Sequence, residues 1–389
     1  MILLPSGLSA VDVALRLGSF TIDNDEVLAG HLGFASDAAA AGSRRQTFSI
    51  VVSPEWVAAV RSQVTVIYDQ LVAACWPAGA PLPFDMIRLD AYITEVGDMK
   101  VLEINTRSVG IHEFAEWIDD QVGALFSVPK TYSLNGHFVS NQKLLQEAVT
   151  GPNPDLLYLT GRQIPEWIYM DKLREQYPSV DHATDVSELI RTEEGIVYRG
   201  KNYRAITRKF SRGAMELCVA LDAQDVVRVM QPFWMQDFGK KNYLPNFDSP
   251  TIPRTRPFEV ADIPDYEIHQ SDYVLKIIDG GSSSDVHLGA AVSEQDWALV
   301  IGRARLKPAK WVVQDYVDTT SYAILPHGLP AQSARLQFGI FLLPQHHDPR
   351  SFDMDISIKG YVGSNPYITF DPSSHMPDIW FGSVLISQA

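Results

Sequence analysis

Cysteine is scarce in the 389-residue chain: there are two, Cys75 and Cys218, far apart. Two distant thiols cannot build a disulfide framework or a cysteine-rich zinc centre, so a reducing compartment is expected. The sequence also lacks any uninterrupted run of about 18 apolar residues, the length a membrane-spanning helix needs. No basic group precedes the apolar start Met1-Ile2-Leu3-Leu4-Pro5, and Pro5, Ser6, Gly7 and Asp12 interrupt it early, so no signal peptide is expected. Positive charge is short as well: 32 Lys and Arg stand against 47 Asp and Glu, a net charge of −15. That balance excludes a general nucleic-acid binder, which presents a basic face. It does not exclude a phosphate-bearing small molecule, because a pocket needs only a local cluster of donors and cations. The expectation is a soluble cytoplasmic protein with neither nucleic acid nor membrane as partner.

What is present reads as folded. Hydrophobic residues are 46% and charged residues 20%, as in a globular protein and unlike a disordered one. The length allows two or three domains, or one large α/β unit. From Pro54 to Cys75, Trp56, Val57, Val60, Val64, Ile67, Tyr68, Leu71 and Val72 recur at spacings of three and four, which predicts a helix ended by Trp76-Pro77. Two strand-like runs follow, Met86 to Ile93 and Lys100 to Asn105, with Gly97-Asp98 as the turn signal. The two-residue period puts Arg88 with Asp90, and Glu103 with Asn105, on one side of their strands. Beyond Asp155, strand-like Leu156–Thr160, helix-like Ile164–Tyr177 and further strands at Ile196–Tyr198 and Tyr203–Thr207 resemble a small Rossmann-like unit. Pro245 to Pro264 reads as an irregular connection. A third region starts near Ser271: a strand Tyr273–Ile278, a glycine and serine loop, a helix from Ser293 to about Arg305, and a strand Trp311–Val317. Leu336–Leu343 and Asp355–Tyr361 read as strands of the same sheet.

Three groups of residues carry chemistry. Lys276 lies on a strand running into Asp279-Gly280-Gly281-Ser282-Ser283-Ser284. Two glycines let backbone N–H groups approach a polyphosphate, serines add donors, and Lys276 supplies a point charge. A surface turn after an exposed lysine would read the same way. Glu103 and Asn105 are hard oxygen donors on one strand face, suited to Mg²⁺ shared with phosphate oxygens, and Asp279 is a second carboxylate for the same metals. An edge strand with a polar face is the plainer alternative. Trp311 to Asp318 is an apolar strand broken by Gln314-Asp315. It fits a hinge that offers backbone groups to adenine, with Val313, Tyr316 or Val317 against the ring; it also fits an ordinary core strand.

Taken in order, these pieces resemble the ATP-grasp superfamily of carboxylate–amine ligases, in its circularly permuted branch of eukaryotic-type glutathione synthetases and glutathionylspermidine-synthetase-like ligases. The acid-x-Asn triplet Glu103-Ile104-Asn105 precedes Lys276 and its loop, the permuted order. Arg88-Leu89-Asp90 resembles the branch's Arg-x-Asp strand, and Phe238-Gly239-Lys240-Lys241 the segment carrying a first nucleotide-contacting lysine. Gln337-Phe338-Gly339-Ile340-Phe341 resembles a Glu-x-Gly-x-Phe strand, with Gln337 where Glu is expected. The resemblance implies an α/β (α+β) ATP-grasp fold in permuted order with an inserted Rossmann-like subdomain. The implied division is 1–150 for the metal-binding hairpin part, 151–235 for the inserted subdomain and 236–389 for the ATP-binding part.

It further implies ATP and two Mg²⁺, held by Glu103, Asn105 and Asp279. Lys241 and Lys276 would contact phosphates. Gly280, Gly281, Ser282 and Ser283 would form a lid, and Val313, Gln314, Asp315, Tyr316 and Val317 the adenine hinge. Arg88 and Asp90 would be the catalytic pair, Arg88 on a carboxylate or acyl phosphate, and Asp90 toward metal or amine or simply as partner of Arg88. The implied reaction joins a small-molecule carboxylate to an amine through an acyl phosphate, releasing ADP and phosphate. A small-molecule kinase and a decayed nucleotide-binding protein are the alternatives. Homodimers are common in such ligases, so a second copy is a possible partner.

Overall fold

The structure is a computed structural model. It describes residues 47–52, 54–76, 86–94, 98–106, 132–134, 156–159, 180–183, 185–203, 205–208, 217, 227–229, 233–279, 286–319, 321–324, 332–345, 348–362 and 378–387. In chain order the first elements are β1 (Thr47–Val52), helix α1 (Pro54–Cys75), β2 (Ile87–Ile93), β3 (Met99–Asn105), β4 (Tyr132–Leu134), β5 (Leu156–Leu159) and β6 (Val180–Ala183). Then come β7 (Ile190–Thr192), β8 (Gly195–Tyr198), β9 (Lys201–Tyr203), β10 (Ala205–Arg208), β11 (Arg228–Val229), β12 (Thr255–Pro257) and helix α2 (Ile263–Ile268). The last are β13 (Tyr273–Ile277), β14 (Val286–Leu288), helix α3 (Glu294–Leu306), β15 (Trp311–Asp315), β16 (Ser321–Ile324), β17 (Gln332–Gln345), β18 (Asp348–Val362) and β19 (Asp378–Ser387). The result is a mixed α and β protein whose largest sheets are mainly antiparallel. Among the described residues no helix is long and apolar enough to cross a membrane.

The largest sheet has the order β1-β19-β18-β17-β2-β3, with β16 also on β17 and β4 also on β19. One of its faces packs on α1. The helix has the predicted bounds, and Trp56, Val60, Val64, Ile67, Tyr68 and Leu71 meet Leu89, Ala91, Phe338, Ile340 and Ile356 of the sheet. Each such burial contributes about 1.5–3 kcal/mol, so tertiary packing rather than helix propensity holds α1. The sheet's other face presents Arg88, Asp90, Tyr92, Gln337 and Gly339, which alternate with the core residues.

A second, antiparallel sheet has the order β12-β15-β13-β14. One face carries Leu275, Trp311 and Val313 against Tyr266 of α2 and Trp297, Val300 and Ile301 of α3. Trp297 donates its buried indole N–H to the Tyr266 carbonyl at 2.9 Å, which satisfies its one donor. Ser293 caps α3, its Oγ accepting from the Asp296 N–H at 3.1 Å. The entry into α3 is tight at Gly289: an added Cβ would lie 1.8 Å from the Gln270 carbonyl oxygen. Gly289→Ala is therefore expected to destabilise the protein by about 1–3 kcal/mol, since backbone must move to admit the methyl. Chemical denaturation checks this, and an unshifted midpoint would refute the close approach.

Two smaller sheets complete the description. The order β11-β10-β5-β6 is parallel throughout, and β7-β8-β9 is an antiparallel meander.

Three expectations are corrected. Tyr203–Thr207 is not one strand: Tyr203 ends β9 in the meander, and Ala205 begins β10 in the parallel sheet. The stretch Pro245–Pro264 is not wholly irregular: Thr255–Pro257 forms β12, with Pro257 on an edge strand, where a missing N–H is tolerated. β17 and β18 do not join β15; they belong to the largest sheet, where β17 lies between β2 and β18. Alternation reveals a strand and its two faces, but partner choice is set by hydrogen bonds between distant segments. The helix expected over Ile164–Tyr177 lies outside the described residues.

Candidate functional site

A cleft lies between the polar face of the largest sheet and the face of the second sheet turned away from α3. It holds roughly 780 Å³ of empty space, part of it open to solvent. On β13, Leu275 enters the core, so its neighbours Val274 and Lys276 face the cleft. Val286 and Leu288 of β14 extend that apolar wall.

Opposite stand β2 and β3. Arg88 pairs with Asn105 and Asp90 with Glu103, but Ala91 pairs with Val101, so Leu102 is an extra residue: a β-bulge. The bulge has two consequences. Val101 and Ile104, three apart, both enter the core at 0% and 1% exposure, which a regular strand cannot arrange. And Leu102 and Glu103, though adjacent, both line the cleft. The Leu102 carbonyl accepts from Lys276 Nζ at 3.2 Å, and Gln314 Oε1 accepts from the same ammonium at 2.6 Å. Lys276 is thus one point at which the two sheets meet. Burial pushes its pKa down from 10.5 to about 8; the Lys241 charge acts the same way, and Glu103 and Asp90 oppose both.

Arg88 and Asp90 form a two-point fork, Nε to Oδ1 at 2.7 Å and Nη2 to Oδ2 at 2.9 Å, and Asn105 Nδ2 donates to Oδ2 at 3.2 Å. Gly339, paired with Asp90, makes room for this group. A Cβ there would meet Ser357 Oγ at 2.7 Å and Arg88 Cδ at 3.4 Å.

Lys241 is buried, with Nζ 3.7 Å from Glu103 Oε1. Its segment is anchored on β3. Thr106 donates to the Met235 carbonyl at 2.6 Å, and Gly239 sits so close that a Cβ would lie 2.8 Å from Thr106 Oγ1. Lys240 turns elsewhere, to Asp237 at 2.8 Å and Asp279 at 3.7 Å. Its pKa is raised, first by the Asp237 hydrogen bond.

Gln314, Asp315, Tyr316 and Val317 line the cleft. Val313 does not: it is 0% exposed in the core under α3, because it alternates with Gln314. Its side chain is therefore removed from the expected hinge contacts. The N–H groups of Asp315 and Tyr316 are taken by the Arg254 and Asp272 carbonyls at 2.9 and 2.8 Å. The Asp315 carboxylate faces Arg256 at 3.3 Å. Arg335 lies at the cleft edge, donating to Thr319 Oγ1 at 3.1 Å and the Tyr316 hydroxyl at 3.4 Å. It belongs to no motif, and its only sequence signal is its place two residues before Gln337 on one strand face.

The three members of the expected metal set are placed as follows. Glu103 faces the cleft and Asn105 shares its strand face, but Asp279 is exposed and held by Lys240. Among the described residues no group of three or more His, Cys, Asp or Glu is placed to hold a metal. Glu103 and Asn105 fit one Mg²⁺ completed by ligand oxygens and water, the usual manner for this ion. Gly280, Gly281, Ser282 and Ser283 lie outside the described residues.

No known family's sequence profile matches the chain, and no curated protein matches it. Among solved structures it is similar to a RimK domain ATP-grasp protein from Sphaerobacter thermophilus DSM 20745, at 14% identity and a TM-score of 0.31. The match covers 51% of this chain and 90% of that one. So low a score does not define a shared fold.

Proposed function

We propose that this chain is an ATP-dependent ligase of the ATP-grasp kind, joining a small carboxylate to an amine. The observation that carries the reading is the meeting of Lys276, from late in the chain, with Glu103 and the Leu102 carbonyl, from early in it, at one cleft with an apolar wall. A cation, a carboxylate and an apolar slot together suit a nucleotide polyphosphate with its base.

In this reading the base lies between Val274, Val286 and Leu288 and the Tyr316-Val317 hinge. Lys276 and Lys241 meet α- and β-phosphate oxygens. Glu103 and Asn105 would hold Mg²⁺, which supplies charge neutralisation for the phosphates; Asp279 with a second Mg²⁺, and the Gly280–Ser283 lid, belong to the same proposal. A substrate carboxylate oxygen attacks the γ-phosphorus, the bond to the bridging oxygen breaks, and ADP leaves. The amine nitrogen then attacks the acyl carbon, phosphate departs with the C–O electron pair, and the nitrogen loses a proton. Arg88 holds the carboxylate and then the acyl phosphate, and Asp90 fixes the plane of its guanidinium. The chain order of these groups resembles that of the permuted branch, and the parallel sheet of order β11-β10-β5-β6 supports reading 151–235 as an inserted subdomain.

The test is an ADP-release screen over pairs of amino acids and polyamines. The expected result is ADP release that needs both members of a pair, with phosphate in equal amount. Release with a carboxylate or alcohol alone and a phosphorylated product would mark a kinase instead. Absence of ATP binding would end the proposal.

A further inference from the structure

Lys276 is held by a chain of buried hydrogen bonds that reaches β12. Thr255 Oγ1 donates to the Pro253 carbonyl at 2.9 Å, and Gln314 Nε2 donates to Thr255 Oγ1 at 2.9 Å. Gln314 Oε1 then accepts from Lys276 Nζ at 2.6 Å. Thr255, Gln314 and Lys276 are 7%, 1% and 5% exposed. The direction of every bond is fixed from the far end. A carbonyl can only accept, so the Thr255 hydroxyl must point its one hydrogen at Pro253. The hydroxyl oxygen can then only accept from Gln314, so the NH₂ end of the amide must face Thr255. That leaves the carbonyl end for the ammonium. A flipped amide would set NH₂ against NH₃⁺ and orphan buried groups, the expensive case. Thr255 and Gln314 are paired across β12 and β15, so the contact is built into the register.

We propose that Thr255 is a positioning residue for Lys276, acting through Gln314: it locks the amide so that Gln314 and the Leu102 bulge carbonyl hold two of the three ammonium hydrogens and aim the third at a ligand oxygen. This rests on the reading of Lys276 as a phosphate contact, yet its first test does not. Lysine labelled with ¹³C and ¹⁵N reports the Lys276 side chain directly, with its signal assigned by its loss in Lys276→Arg. Thr255→Val keeps the shape and removes the hydroxyl; it is expected to shift or broaden the Lys276 signal, while Thr255→Ser retains it. Thr255→Ala serves the same purpose if the valine variant does not fold. In a Gln314→Glu background the carboxylate has no wrong orientation, so Thr255→Val is expected to leave the Lys276 signal where Gln314→Glu alone puts it. A Lys276 signal in Thr255→Val like that of the native protein, or an equal shift in both backgrounds, overturns the proposal.

The second readout is KM for ATP, expected to rise about tenfold in Thr255→Val, near 1.4 kcal/mol, with kcat little changed. A native protein that neither binds nor turns over ATP would sink the proposed function, while the Lys276 signal would still decide the role of Thr255.

Discussion

If the proposed ligase function holds, replacing Lys276 with methionine is expected to lower ATP turnover by roughly 10²–10³-fold, the usual consequence of removing one preorganised charge where phosphoryl groups are transferred, while the protein stays folded. The stability half follows from the ammonium's surroundings. Lys276 is 5% exposed and pairs with Val312 of β15, and its pKa falls to about 8 from 10.5. The sign is unfavourable. The unfolded chain holds the proton up to about pH 10.5 and the folded chain only to about pH 8, so folding is penalised wherever the lysine must stay charged. At about 1.4 kcal/mol per tenfold, that difference is roughly 3 kcal/mol below pH 8, and it is relieved as pH rises toward 10.5. A methionine of similar length avoids the penalty, though it leaves Gln314 Oε1 without its partner. Lys276→Met is thus expected to be as stable as the native protein or more so at pH 7, with the advantage shrinking by pH 10. Paired denaturation curves and ATPase assays check both halves; a large loss of stability would show that the lysine is kept for the fold.

Glu103→Gln is the second change with a large expected effect. It retains the bulge and the shape, and removes the carboxylate facing Lys241 at 3.7 Å. The pair is too exposed on the carboxylate side to matter greatly for folding, within about 1 kcal/mol. Turnover is expected to fall at least 10²-fold, with the Mg²⁺ concentration for half-maximal rate moved upward, because a neutral amide is a poorer partner for a hard cation. Loss of Glu103 also removes the first group that opposes the lowering of the Lys276 pKa. ATP affinity in the variant should therefore weaken further between pH 7 and pH 9 than it does in the native protein. Initial rates across a Mg²⁺ series at two pH values measure this. Native kcat with an unmoved Mg²⁺ curve would take Glu103 out of the site.

The helix over Pro54–Cys75 and the polar pairs Arg88/Asp90 and Glu103/Asn105 were legible because they depend on periodicity alone, and a local period survives in any tertiary setting. The helix expected from Ser293 to about Arg305 was legible too, its observed bounds Glu294–Leu306 differing by one residue at each end. The bulge at Leu102 was not, although Val101 and Ile104 at a spacing of three recorded it: a single break of alternation in a seven-residue strand looks like noise until the partner register is known. Val313 was misassigned to the hinge because an apolar strand does not announce which face meets the helix. β12 was hidden among prolines, and with it Thr255. The assignment of β17 and β18 to the wrong sheet has one cause with these: strand pairing is decided by contacts far apart in sequence, which no window can contain.

The placement of β19 carries a consequence for the order of synthesis. Residues 381–386 are the parallel partner of Thr47–Val52, and residues 385–387 also receive Tyr132–Leu134. Among the described residues, these two earlier segments thus pair with a strand that is complete only once residue 387 has been made. A nascent chain halted before residue 378 would leave both without this partner, and among the described residues they have no other strand, a state that invites capture by another chain. The interval before residue 378 is made is the stage at which a chaperone would matter most to these two strands.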